Sequence, residues 1–126
     1  MELRDYFENT AGHGVLSTAD ADGNVDAALY GRPHVMDDGA VAFIMNDRLS
    51  HSNLRTNPHA VYLFIEDTPS DGKRWSGKRL YLTKTGENTD SDLIHSLRRH
   101  TREDDSGKTK YLVTFAVDRI RPLTGD

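Results

Sequence analysis

Residues 43–59, FIMNDRLSHSNLRTNPH, carry an apolar strand straight into a polar loop and a short helix, and apolar runs bracket that helix at 41–45 (VAFIM) and 60–66 (AVYLFIE). Runs so nearly continuous in apolar residues belong to strands covered on both faces. The chain must therefore build a sheet with wrapped strands and set a helix start at the end of one of them. Unpaired N–H groups and the positive end of the helix dipole make such a start a site for phosphate or carboxylate. Ser50, His51, Ser52 and Asn53 add side-chain donors there. Ordinary helix punctuation uses the same residues: Ser50 or Ser52 as N-cap, Asn53 closing the cap, and Asn57-Pro58 as the stop.

The flanking sequence reads as further strands. Residues 14–19 and 24–31 are extended segments joined by the DADG turn at 20–23. Val25, Ala27 and Leu29 fall on one face of the second segment, and Asp26, Ala28 and Tyr30 on the other, the alternation of a half-buried strand. Arg32-Pro33-His34 continues it, and Pro33, having no N–H for a ladder, puts this end at an edge or a bulge. Residues 79–85 and 110–117 are later strands, the last placing Tyr111, Val113, Phe115 and Val117 on one face. Leu3, Tyr6 and Phe7 predict a short N-terminal helix ended by residues 10–14, and Leu93, Ile94 and Leu97 stripe a helix running from Thr89 or Asp90 to His100. Residues 101–108 read as a charged linker, and the polar loop at 68–78 holds the single tryptophan. The sum is a mostly β chain with short helices, a six-stranded antiparallel barrel forming one domain over residues 1–126, with a two-layer α+β sandwich as the competing architecture.

Composition removes several functions. The net charge of −4 argues against nucleic-acid binding, which wants a basic face. With no cysteine there is no thiolate nucleophile, disulfide or cysteine-ligated metal. No signal peptide or membrane-length apolar run is present, so a cytoplasmic location is expected. The usual phosphate-loop, dinucleotide, zinc-protease and nucleophile-elbow motifs do not occur. Among the six histidines, His95 and His100 point in different directions on their helix, and a metal site is not expected; His34 and His51 leave a haem contact open. A chain without acid–base machinery can still be an enzyme if a cofactor carries the chemistry.

Three segments, 14–35, 41–58 and 60–66, together resemble the FMN-binding split barrels, the broad family that includes pyridoxamine 5′-phosphate oxidase. The most specific is the second, in which Asn53-Leu54 and Asn57-Pro58 match an NL..NP signature. The resemblance implies a homodimer, an FMN held at the loop and helix start, and a flavin-dependent oxidoreductase working with a small-molecule redox partner. It assigns Ser50 to the phosphate, with Arg48, His51, Ser52 and Asn53 around it, Met45 and Asn46 beside the cofactor, and Tyr30 and Arg32 along the ring and ribityl chain. Leu49 stands where many relatives carry a cation, and Ala28 replaces a basic residue of the oxidases proper. The same fold holding haem or a deazaflavin, and a cofactor-free binding or regulatory module, are the alternatives.

Overall fold

The computed structural model describes residues 2–70, 72–97 and 109–125. Its elements are α1 (Leu3–Asn9), β1 (Gly12–Ala19), β2 (Val25–Tyr30), β3 (His34–Val35), β4 (Val41–Asn46), α2 (Leu49–Thr56), β5 (His59–Glu66), β6 (Gly77–Asn88), α3 (Ser91–Leu97) and β7 (Lys110–Pro122). The strands form one curled antiparallel sheet in the order β2-β1-β5-β6-β7-β4-β3, so the barrel is split between its edges, β2 and β3.

The sheet has seven strands instead of six, and the difference arises at Pro33. The chain leaves the β1 ladder after Tyr30, and His34 and Val35 pair with Ala42 and Val41 of β4 rather than continuing β2. The proline supplies no N–H to carry the first ladder onward. The helix read to His100 is described as Ser91–Leu97, with the Asp90 carboxylate accepting from the Asp92 and Leu93 N–H groups; residues 98–100 and the linker at 101–108 lie outside the described residues.

Alternating side chains of the curled sheet meet α1 and α2 in one core. Phe7, Leu16, Tyr62, Phe64, Leu80 and Phe115 are essentially fully buried in it. At Gly14 a Cβ would overlap the Tyr62 phenol. The Tyr62 hydroxyl lies 3.1 and 3.0 Å from the carbonyl oxygens of Tyr30 and Gly31, pinning the end of β2.

The two apolar runs meet different fates. In β4, Val41, Phe43 and Met45 enter the main core while Ala42 packs with Ile94 and Leu112 on the other face, so both faces are covered. In β5, Ala60, Tyr62 and Phe64 are buried, but Val61, Leu63 and Ile65 remain half-exposed. Single-face covering of β5 departs from the two-face expectation. Among the described residues no helix is long and apolar enough to cross a membrane.

Candidate functional site

A groove of about 720 Å³ opens at the split, within the size range of small-molecule sites. Asp26, Ala28 and Tyr30 of β2 form one wall, and Phe43, Ile44 and Asn46 of β4 the other. Arg48, Leu49 and Ser50 close one end at the start of α2. His13 of β1 and Asp67 line the groove as well, as do Arg32, His34 and Lys110.

Tyr30 organises the centre. Its ring meets Phe43 edge-on, 5.9 Å between centroids at 83°. The Ser50 side chain interacts with its hydroxyl. Burial raises the Tyr30 pKa; the Ser50 side chain and the Arg48 charge oppose the shift, while Asp26 adds to it. The phenol is therefore neutral at physiological pH, a fixed donor or acceptor facing the groove. Arg32 donates through Nη1 to the Phe7 and Thr10 carbonyls at 2.8 and 3.2 Å, which fixes the turn between α1 and β1 against the groove. Lys110 Nζ donates to the Asn46 side-chain oxygen, bringing the first residue of β7 to the end of β4.

The start of α2 differs from the capping pattern read in the sequence. The N-cap is Arg48, in extended conformation with no side-chain cap, and its carbonyl accepts the Ser52 N–H at 2.9 Å. Ser50 thus lies inside the first turn and meets Tyr30, and Ser52 is exposed on the same turn. The next residues face the protein interior. His51 is fully buried, stacked on Tyr111 at 3.9 Å and 17°, with Nε2 3.0 Å from Glu87. Its Nδ1 sits 3.4 Å from Asp47 without hydrogen-bond geometry. Asn53 donates to the buried Thr18 hydroxyl at 3.0 Å, locking α2 to β1. Asn57 returns its N–H to the Asn53 carbonyl, and its side chain accepts the His59 N–H.

Of the residues assigned from sequence, the groove brings together Tyr30, Arg32, Asn46, Arg48 and Ser50. It does not include Met45, which is wholly in the core, the inward-facing His51 and Asn53, or Ser52. The asparagines of the NL..NP signature hold α2 in place. Sequence reasoning missed Lys110, Asp26, His13 and Asp67. Lys110 reaches the groove only because it pairs with Asn46 in the ladder, a register with no local signal. Among the described residues no group of three metal-ligating side chains comes together.

No family model matches the sequence, and no curated protein matches it. Solved structures do. An FMN-binding protein from Syntrophomonas wolfei subsp. wolfei superposes with a TM-score of 0.73 at 16% identity, covering 99% of this chain and 86% of that one. The chain has the fold of the FMN-binding split barrels. A candidate pyridoxamine 5′-phosphate oxidase from Lactobacillus delbrueckii is similar to this split barrel with a TM-score of 0.64 and 15% identity over 96% of this chain and 92% of that one. A heme-binding protein from Mycobacterium smegmatis gives 0.66 and 18%, covering 98% of this chain but 53% of the other. At these identities the split-barrel fold is what the chains share.

Proposed function

We propose that this chain binds FMN in the groove and works as a flavin-dependent oxidoreductase. The observation that carries the reading is the chemistry of the groove: Arg48, Lys110 and the Ser50 hydroxyl line it together with the Tyr30 and Phe43 rings. A phosphate monoester carries about −1.5 to −2 charges and wants cations and hydroxyl donors, while a flat ring wants aromatic and apolar walls. Arg48 supplies the cation that Leu49 lacks, and Lys110 a second from the neighbouring strand. A bound flavin would supply hydride or electron transfer between a reduced nicotinamide and a small-molecule acceptor. The protein's part is to hold the phosphate, keep Tyr30 neutral as a hydrogen-bonding wall, and shield the ring from water.

The reading includes a cytoplasmic homodimer. Val15 pairs with both Leu29 and Leu63 across the ladders, so β2, β1 and β5 share an outer face. Val25 is 83% and Leu29 77% exposed on it. A face this apolar is normally covered, and β5 carries the apolar pattern of a strand buried on both sides. A second copy packed there supplies the missing layer, and because Leu29 also lines the groove, it would narrow the groove mouth.

Haem is the second reading. His34 lines the groove, and a solved neighbour is a heme-binding protein. The absorption spectrum of freshly purified protein separates the two. Flavin bands in the near-ultraviolet and blue support the first reading. A Soret band lost in His34→Ala supports the second, and a colourless protein that takes up neither FMN nor haem overturns both.

A further inference from the structure

The groove contains a histidine–carboxylate pair that anion binding and ring stacking do not use. His13 Nδ1 lies 2.9 Å from the Asp67 carboxylate, and both residues line the groove. They come from adjacent strands: Gly12 pairs with Glu66 and His13 with Ile65, which leaves Asp67 one step past the end of β5. The backbone around them is fixed. The Asp67 N–H donates to the Ala11 carbonyl at 3.0 Å and the Glu66 N–H to the Ser76 carbonyl at 2.9 Å. At Gly12 a Cβ would strike Phe64 and the Ile65 carbonyl, so β1 lies close against β5 there. Arg32 ties down the preceding turn through Phe7 and Thr10.

A carboxylate on one imidazole nitrogen sets the tautomer and aims the other nitrogen outward. A base oriented by a third group is the usual arrangement of a side chain that moves protons. The His13 side chain is 78% exposed, so its second nitrogen meets both groove and solvent. The remaining charged groups of the groove are Asp26, Arg32, Arg48 and Lys110.

We propose that His13, oriented by Asp67, is a proton-transfer residue of the groove, serving a ligand that presents a carbonyl or enolate oxygen at that place. The inference rests on the groove being the ligand site. In the forward step the Nε2–H bond of the imidazolium breaks and an O–H bond forms on the ligand. The ring is left neutral and takes its next proton from solvent. In reverse, Nε2 accepts the proton.

The test uses the intact chain. At about pH 8, above the ordinary histidine range, long-range proton–nitrogen NMR shows His13 as the Nδ1–H tautomer, and Asp67→Asn shifts it toward Nε2–H with the amide spectrum otherwise unchanged. Saturation with FMN moves the His13 ring resonances and slows its carbethoxylation by diethyl pyrocarbonate about tenfold, each histidine being followed separately by mass spectrometry. A tautomer indifferent to Asp67, or a His13 whose resonances and reactivity do not change although FMN is bound, overturns the proposal. The flavin reading fails separately: a chain that binds no FMN but shows the tautomer change rejects the flavin and keeps the pair.

Discussion

The two sides of α2 sit one residue apart and do different things. Ser50 and the N-cap Arg48 line the groove with Tyr30, whereas His51, Asn53 and Leu54 face inward and bind the helix to β1, β6 and β7. Successive residues of an α-helix point about 100° apart, so neighbours in a polar run such as LSHSN cannot all reach one ligand. The comparison teaches that the helix start faces the groove over a few residues only. The rest of its polarity goes into holding that surface still.

Substitutions on the inward side should change stability without touching ligand affinity. The largest effect is expected for His51→Ala, which removes a fully buried ring stacked on Tyr111 and leaves a cavity beside Glu87. A loss of about 2–4 kcal/mol in urea unfolding is predicted. Arg48→Ala on the outward side should reverse the pattern. FMN affinity falls roughly 10- to 100-fold, the worth of a charge-assisted contact of about 1.5–3 kcal/mol, while stability moves by no more than about 0.5 kcal/mol. Calorimetric titration beside a denaturant curve reads both numbers. Equal effects of the two substitutions on affinity would break the comparison.

Asn53→Ala comes next, at about 1–3 kcal/mol, because the buried Thr18 hydroxyl loses its donor. A serine at position 53, able to donate but too short to reach, should recover little in the same unfolding experiment. The smallest effect is electrostatic. Glu87 titrates below its ordinary 4.5, chiefly through the Lys84 hydrogen bond, with the His51 hydrogen bond helping and burial opposing. A depressed carboxylate stabilises the fold above its unfolded value and loses that contribution as pH falls through the depressed one. Stability should therefore decline below pH 4.5, and the decline should be shallower in Lys84→Met. Matching urea midpoints at neutral and acid pH for the two proteins would contradict this.

The sheet was readable because alternation is local: the Val25/Asp26 faces of β2 and the long apolar run of β4 announce themselves within a few residues. Its count was off by one strand because breaking a ladder and joining another look alike at Arg32-Pro33-His34; the partner strand decides, and it lies in distant sequence. The groove was only partly readable for the same reason. Tyr30, Arg48 and Ser50 stand near turn and helix signals, but Lys110 arrives through pairing with Asn46, and Asp67 through the end of β5 against β1. His51 was drawn to the ligand by its place in the loop. Whether a helical side chain points in or out depends on what packs behind it, here Tyr111 and Glu87, both far along the chain. The open face of β5 is the complementary case, a sequence pattern that a single chain leaves half satisfied.

The central claim is that the outward side of α2 holds a phosphate. Parallel titrations of the purified chain with FMN and with riboflavin, which differ only in that group, test it most directly. Preferential binding of FMN by about tenfold or more, abolished in Arg48→Ala, is the predicted result. Equal affinity for the two flavins, or binding of neither, would contradict it.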